Sequence, residues 1–317
     1  MAINRAQLVK ELEPGLNALF GLEYQQYGDE TKMIFDSESS DRAFEEEVML
    51  GGFGAAPTKA EGAGVTYDSA QEAWTARYQH ETIALAFALT EEAIEDNLYD
   101  KLSSRYTKAL ARSMAHTKNV KGASVLNNAF NSAFAGGDGK ELIATDHPLL
   151  SGGVMSNELT TPADMNETSL ESALIQISEM TDERGLKAAV RGLSLVIPAS
   201  LAFVAERVLK SDLSTTISNS ATNVNDINAL KSKGMLSGGY DVNHYLVDSD
   251  AWFIKTDAPN GLKHFQRAAM KTGMEGDFES GNVRFKARER YSFGYSDPRS
   301  IFGSAGEIGR ASCRERV

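Results

Sequence analysis

A long helical segment constrains the fold of this chain more than any other feature. Between Leu98 and Phe130 there is no proline, and the one glycine is Gly122. Small and apolar residues recur there at three- and four-residue steps, the spacing of one helix face. The face predicted from this spacing comprises Leu98, Leu102, Tyr106, Ala109, Leu110, Ser113, Thr117, Val120, Ser124 and Phe130. Such a helix is roughly 50 Å long at 1.5 Å per residue, so we expect a frame on which other elements pack.

A β-strand is predicted immediately before this helix, because bulky and small residues alternate with a period of two. The bulky residues are Ile83, Leu85, Phe87 and Leu89, and the small ones are Ala84, Ala86 and Ala88. A second layer could therefore approach the alanine face closely. Thr90 is the expected N-cap of the helical segment, since the acidic residues Glu91 and Glu92 follow it.

The composition is that of a soluble globular protein, with 42% hydrophobic and 24% charged residues. No apolar run approaches 18 residues, so no transmembrane helix is expected. The N-terminal segment has no apolar core of a secretory signal, which indicates synthesis in the cytoplasm. The single cysteine, Cys313, excludes an intramolecular disulfide framework and any metal site built from several cysteines.

Charge is distributed unevenly along the chain. The net charge of −12 argues against a general nucleic-acid-binding protein, which needs clustered lysine and arginine. Residues 1–100 hold 6 basic and 20 acidic residues, whereas residues 284–317 hold 8 basic and 4 acidic residues. This asymmetry suggests that one end of a chain meets the other end, its own or a neighbour's.

The basic residues near the C-terminus fall on alternate positions of a predicted strand, so they share one face. They are Arg284, Lys286, Arg288 and Arg290, and the aromatic alternation of Tyr291, Phe293 and Tyr295 continues the strand. We call Arg284–Arg290 the basic stripe. It could contact an acidic protein surface, which the charge asymmetry favours, or be a solvated face, or contact DNA.

The first 82 residues predict an arm followed by a long hairpin. Residues 6–20 indicate a short amphipathic helix broken near Pro14 and Gly15, which either packs on its own domain or reaches a partner, and residues 21–43 suit an extended arm. Strands are predicted at Phe44–Leu50 and around Trp74–Thr82, with a mobile tip at Gly51–Gly64. A two-stranded ribbon is marginal alone, so this one should lie across another surface.

The central region alternates predicted helices and strands, as an α+β or α/β domain does. Residues 131–168 are punctuated by glycine, asparagine and proline. A helix is predicted at Ser169–Thr181, a buried strand at Leu193–Ile197, and a second helix through Leu201, Val204, Val208 and Leu209. Two more strands are predicted, at 242–247 and 252–254.

No catalytic, metal or cofactor motif is present in the sequence. The histidines His80, His116, His147, His244 and His264 lie in no H-E-x-x-H or C-x-x-C context, and there is no G-x-S-x-G elbow. The stretch GGFGAAPTK lacks the residue order of a phosphate loop. Asp146 and His147 precede Pro148 in a loop, and such a pair is more often a turn with a satisfied histidine than a site.

The order of these elements resembles that of tailed-phage major capsid proteins with the Hong Kong 97 capsid fold, an α+β fold. Local sequence is similar to the Mu-like branch of that family, over nearly the whole chain to about Gly306. The similar stretches are ATDHPLLSGGVMSN (144–157), RGLSLVIPASL (191–201), NDINAL (225–230), HYLVDSDAWFIKTDAPNGLK (244–263) and RERYSFGYSDPRSIFGS (288–304).

The resemblance implies a division of the chain into an N-terminal arm (1–43), an E-loop hairpin (44–82), a P-domain with a spine helix (83–139), an A-domain (140–261) and closing P-domain strands (262–306). It implies pentamers and hexamers that tile an icosahedral head around double-stranded DNA, without sequence-specific DNA binding or a membrane. The implied partners are the chain itself, a separate scaffolding protein, a portal and a decoration protein. The expected location is the virion, after synthesis in the host bacterial cytoplasm.

Candidate contact residues between subunits are Phe53, Lys59, Trp74, Tyr78, Arg284, Lys286, Arg288 and Arg290. Some relatives cross-link through an E-loop lysine, and Lys59 is the only lysine at this tip, although nothing else in the sequence supports that chemistry. The tail, residues 307–317, fits neither the family nor the rest of the chain and is expected to lie outside the fold. Two alternatives remain: a cargo compartment of the encapsulin type with the same fold, and a soluble α/β hydrolase around Asp146 and His147.

Overall fold

The fold contains two four-stranded sheets that share one long helix. The computed structural model describes residues 5–90, 92, 99–213, 227–277 and 281–306. Cys313, the C-terminal tail, Leu98 of the predicted helix and Glu91, one of the two acidic residues expected after the cap, lie outside these residues. No helix in the described part of the chain is long and apolar enough to cross a membrane. The helices are α1 (Arg5–Gln26), α2 (Tyr99–Asn127), α3 (Glu167–Glu179), α4 (Ala202–Lys210) and α5 (Ala229–Ser232).

Sheet 1 joins the first and last parts of the chain, in the strand order β1-β10-β11-β4. β1 (Asp36–Ser39) runs parallel to β10 (Leu262–Gly276), and β11 (Val283–Tyr295) pairs antiparallel with both β10 and β4 (Glu81–Leu89). Beside it, β2 (Phe44–Gly51) and β3 (Gln71–Gln79) form an antiparallel hairpin. The strands predicted before the helix, in the hairpin and at the basic stripe are therefore present.

Sheet 2 has the order β12-β9-β7-β8 and belongs to the central region. Its strands are β7 (Gly192–Ile197), β8 (Tyr240–Val242), β9 (Trp252–Thr256) and β12 (Ile301–Ser304), and a short ribbon of β5 (His147–Pro148) and β6 (Val154–Met155) lies outside it. Residues 262–306 were expected to form strands of one sheet together. The last strand, β12, instead pairs with β9 and belongs to sheet 2 rather than to the sheet of β10 and β11. The predicted strand at 242–247 ends at Val242, and Val247 is 85% exposed in the loop that follows.

Helix α1 continues through Pro14, where a break was predicted. Proline removes one backbone hydrogen bond and crowds the preceding turn. Leu16 and Phe20 lie beyond that point and are buried against Leu110 and Met114 of α2. This packing favours a continuous helix and offsets the local cost. The prediction of an extended arm at residues 21–43 is wrong for residues 21–26, which are helical. The later part of the arm is held by another element as expected, because β1 pairs with β10.

Helix α2 confirms the predicted long helix, but its buried face shares only Leu110 with the predicted one among the residues whose burial is described. Tyr106 and Val120 are about half exposed, and Ala109 and Ser124 are exposed. Small residues dominate the buried face, whose members are Ser103, Thr107, Leu110, Ala111, Met114, Ala115, Asn119, Gly122, Ala123 and Leu126. The prediction placed bulky residues such as Tyr106 and Val120 on the buried face. Small side chains occupy much of that face instead, because they let neighbouring elements approach the helix axis closely.

Two hydrophobic clusters meet along α2. In the first, Leu110, Ala111 and Met114 pack with α1 and with Phe285 and Ala287 of sheet 1. In the second, Leu126 and Ala129 pack with Ile34, Phe35 and residues of sheet 2 that include Phe253. The largest cluster lies further into the central region, between α3 and sheet 2. The helix therefore connects the two sheets through separate parts of its length.

Gly122 allows the closest of these approaches. A Cβ atom placed on Gly122 would lie 2.5 Å from Cγ2 of Thr31, which is buried and whose hydroxyl donates a hydrogen bond to Asp29. Because Thr31 is short and held in place, it cannot move aside cheaply.

We expect Gly122→Ala to lower the free energy of unfolding by about 1–2 kcal/mol, since overpacking costs about 1–3 kcal/mol and the gain in helix propensity is at most about 1 kcal/mol. Gly15→Ala is the control, because a Cβ atom at that position in α1 meets nothing within 4 Å. It should stabilise the protein by about 0.5–1 kcal/mol. Urea denaturation measures both, and equal stabilisation by the two variants would contradict the close approach.

Candidate subunit interfaces

The basic stripe lies on one face of β11, as its alternation predicted. Arg284, Lys286 and Arg288 are exposed, whereas the intervening Phe285, Ala287 and Glu289 are buried on the opposite face. Arg290, at the end of the stripe, is partly buried. Arg284 forms an ion pair with Asp277 at 2.5 Å.

The register of sheet 1 places small side chains beside the basic stripe on its β4 side. Ala88, Ala86 and Ala84 of β4 stand opposite Arg284, Lys286 and Arg288. On the other side, β10 places Glu275, Gly273 and Lys271 opposite the same three residues. We call this side of the sheet the open face of sheet 1, and it contains a groove of about 530 Å³ near Arg284 and Lys286. No described residue covers the three alanines, which are all exposed.

The β2–β3 hairpin displays apolar side chains on its outer side. Phe44, Val48 and Leu50 alternate along β2 and are between 38% and 64% exposed. Beyond the strands, Phe53, Val65 and Tyr67 are also largely exposed. Large exposed apolar patches mark surfaces that associate with another molecule, so these residues are candidates for such a surface. We call these six residues the hairpin apolar stripe.

The predicted contact residues of the hairpin occupy three different environments. Phe53 and Lys59 lie exposed in the loop between β2 and β3, and Trp74 of β3 is half-buried. Tyr78 is buried within its own chain, where its ring lies edge-on to Phe265 with 4.8 Å between ring centroids. A Cβ atom on Gly294 would lie 2.7 Å from the Tyr78 ring, so glycine is needed there. We therefore remove Tyr78 from the candidate contacts between subunits.

A buried lysine, which no sequence pattern predicted, anchors the base of the hairpin. Lys263 of β10 is 4% exposed and donates hydrogen bonds to Glu38 of β1, at 2.9 Å, and to Glu47 of β2. The other Glu47 oxygen accepts a hydrogen bond from Ser296, which also bonds the hydroxyl of Tyr78. Burial disfavours the charged ammonium, but the two carboxylates outweigh this cost, and the pKa of Lys263 is raised.

A second polar contact holds the loop of the hairpin against the central region. The carboxylate of Asp68 accepts hydrogen bonds from the backbone N–H groups of Gly54 and Ser69 and from the Arg184 guanidinium. These contacts, the two N–H groups first, lower the pKa of Asp68. The base and one side of the loop are thus fixed to the chain, while the hairpin apolar stripe faces outward.

The one histidine–aspartate candidate is a structural group. His147 is 1% exposed, with Nδ1 bonded to Asp138 at 2.6 Å and Nε2 bonded to Asn157 at 3.1 Å. Asp146 points elsewhere and pairs with Lys140. Both nitrogens of the ring are engaged, so the geometry offers no base to a substrate. Within the described residues, no three His, Cys, Asp or Glu side chains are grouped to hold a metal ion.

Comparison with known proteins matches the chain to capsids. A family model described as phage capsid protein matches residues 71–303. The fold is similar to that of a virus-like particle from Pyrococcus furiosus, with a TM-score of 0.53, 11% identity, and coverage of 91% of this chain and 97% of that one. No curated protein shows significant sequence similarity to this chain.

Two further solved structures have the same fold. The procapsid of bacteriophage JBD30 gives a TM-score of 0.51 at 14% identity and covers 99% of this chain and 79% of its own. The capsid of a native GTA particle gives 0.51 at 12% identity, with coverage of 87% and 89%. The Hong Kong 97 capsid fold expected from the sequence is thus confirmed, while membership of the Mu-like branch stays a prediction.

Lys263→Met keeps the aliphatic stem but removes the ammonium that satisfies two carboxylates. Breaking a buried ion pair costs about 3–5 kcal/mol, and the partial exposure of Glu38 and Glu47 reduces this cost. We therefore expect a loss of about 1–3 kcal/mol in urea denaturation. The control Lys286→Met removes an exposed ammonium from the same sheet and should change stability by less than about 0.5 kcal/mol. Equal stability of the two variants would refute the anchoring role.

Proposed function

Because the chain belongs to the phage capsid protein family, we propose that it is the major capsid protein, the subunit that builds a phage head. In this proposal its copies form pentamers and hexamers, which tile an icosahedral shell around double-stranded DNA. The observation that carries the proposal is the family match across residues 71–303, together with the shared fold. The subunit acts through shape and surface contacts, and we assign it no catalytic activity.

The alternatives have less support. A cargo compartment of the encapsulin type would use the same fold, but the family model favours the phage head. A hydrolase at Asp146 and His147 would need an accessible base, and His147 is enclosed with both nitrogens bonded.

We propose a domain division close to the one expected from the sequence. Residues 1–43 would be the N-terminal arm and 44–82 the E-loop. Sheet 1 and α2 support a P-domain made of residues 83–139 and a second part that begins at 262. Sheet 2 supports an A-domain at 140–261. Because β12 pairs with β9, we end the second part of the P-domain before Ile301 and count β12 with the A-domain.

The proposed contact between subunits joins two surfaces that a single chain leaves open. The hairpin apolar stripe of one subunit would lie over the open face of sheet 1 in a neighbour. Removing apolar surface from water yields roughly 25 cal/mol per Å², which supplies the affinity. The basic stripe would supply register, because exposed ion pairs are each worth only about 0–1 kcal/mol but recur at every equivalent contact of a shell. Of the remaining candidates, Phe53 lies in the hairpin apolar stripe and Trp74 and Lys59 flank it.

The N-terminal arm has a smaller role between subunits in this proposal. The contacts of its helix α1 are with α2 and sheet 1 of the same chain. The net charge of −12 would keep a wall of the head from adhering to packaged DNA. A scaffolding protein, a portal and a decoration protein remain proposed partners, because no described contact tests them. Synthesis in the bacterial host cytoplasm is likewise a proposal.

Charge reversal on the basic stripe tests the proposed contact. Arg284→Glu combined with Arg288→Glu should reduce shell assembly at least tenfold at low salt and less at high salt, because salt screens the repulsion that it introduces. The neutral pair Arg284→Gln and Arg288→Gln should fall between this variant and the wild type. Light scattering during assembly measures the effect, and unchanged thermal unfolding serves as the folding control. Normal assembly of the reversed variant at every salt concentration would remove the basic stripe from the interface.

A further inference from the structure

A carboxylate lies buried where α1 and α2 cover β11, and no described cation forms an ion pair with it. Glu289, on the helix-covered face of sheet 1, is 1% exposed. Its Oε2 accepts a hydrogen bond from the hydroxyl of Tyr24 in α1, at the long distance of 3.4 Å. Its Oε1 has no hydrogen-bond partner among the residues that the structure describes. Burying a carboxylate with so little compensation is unfavourable when it is charged.

The cation that acts on Glu289 electrostatically is already paired with another carboxylate. Lys118 of α2 forms an ion pair with Asp29 at 2.8 Å, in the loop after α1. The titratable and charged groups around Glu289 and its neighbour Tyr291 are Tyr24 of α1, Asp29 of that loop, Lys118 of α2, His264 of β10, Tyr291 of β11 and Glu81 at the start of β4. Glu81 is paired with Lys121. None of these groups gives Glu289 an ion pair within 4 Å.

Two other polar groups near Glu289 are buried as well. The hydroxyl of Tyr291 and Nε2 of His264 are buried without hydrogen-bond partners in the described part of the chain. Burial lowers the pKa of His264 to about 4, so this histidine is neutral near neutral pH. Burial raises the pKa of Glu289 to about 7, with the charge of Asp29 adding to the effect and Lys118 and Tyr24 opposing it.

Helix α1 covers this region through contacts of several kinds. Leu16 and Phe20 supply the apolar packing. Glu23 pairs with Lys108 and Arg112 of α2, and Asn17 accepts a hydrogen bond from Thr272 of β10. Among the α1 side chains that the structure describes, Tyr24 is the one with a hydrogen bond to Glu289. If α1 left its place, Glu289 would gain water on the side that Tyr24 now covers.

We propose that Glu289 is a proton-controlled latch for α1: the protonated carboxyl group keeps the helix docked on sheet 1, and the ionised carboxylate weakens docking. The latch needs no neighbouring subunit, so it does not depend on the function proposed above. Its consequence in a shell would be that the state of the N-terminal helix follows pH near neutrality.

The direction of the pH dependence of docking follows from the difference in proton affinity of Glu289 between the docked and undocked states. Undocking would admit water and move the pKa of Glu289 from about 7 toward the ordinary value of 4.5. The docked state therefore binds the proton more tightly, and its added stability is complete below about pH 4.5 and lost as pH rises through about 7.

Hydrogen exchange of the full-length protein tests the latch. Protection factors, which correct for the intrinsic pH dependence of exchange, are compared between pH 5.5 and pH 8.5. We expect protection of the α1 amides from Leu16 to Gln26 to fall at least tenfold across this range. Amides of α3, in the hydrophobic cluster of sheet 2, should show no such change and serve as the internal reference.

Substitutions distinguish the effect of Glu289 ionisation from a general weakening of α1 packing. Glu289→Gln is neutral at every pH and should make the protection of α1 independent of pH, and Glu289→Met provides a second neutral side chain if the glutamine destabilises the fold. Glu23→Gln is the matched control, because it should lower protection at every pH and keep the pH dependence. A wild-type profile without pH dependence, or a dependence that persists in both neutral variants, would overturn the proposal.

Discussion

The small-residue face of α2 sets how closely the two sheets and the N-terminal segment approach one another. Along this face Ala111, Ala115 and Ala123 are buried, and Gly122 lies against Thr31 without room for a methyl group. Larger residues would hold α1 and the loop before β1 away from the helix, and the clusters on sheet 1 and sheet 2 would lose contacts. Close packing of this kind has few alternatives, because protein interiors tolerate neither voids nor overlap well. The rigid body of the chain depends on it.

The hairpin combines a fixed base with an open outer side. Lys263, Glu47 and Ser296 hold its base, and Asp68 and Arg184 hold its loop. The hairpin apolar stripe faces solvent in the single chain, as does the open face of sheet 1. A chain that fixes the position of an element but leaves its apolar side uncovered is suited to association, since the cost of ordering the element is met before a partner binds.

Periodicity predicted the elements that depend on local sequence. The length of α2, the strands β4, β7, β9 and β11, and the exposed side of the basic stripe all follow from patterns of three to four or of two residues. The passage of α1 through Pro14 could not be predicted in this way, because it depends on packing of Leu16 and Phe20 against Leu110 and Met114, which lie far away along the chain. The Lys263 anchor and the pairing of β12 with β9 were missed for the same reason. Burial of Tyr78 depends on the space left by Gly294, which no pattern within the hairpin reveals.

We propose that copies of this chain complete one another through the hairpin and the open face of sheet 1. A cryo-electron micrograph of the purified protein, followed by a map of any particle that it contains, is the most direct test of this contact. We expect closed icosahedral shells in which the hairpin of one subunit covers Arg284, Lys286 and Arg288 of its neighbour. Monomers that form no shells under any assembly condition, or shells in which that face is open to solvent, would contradict it.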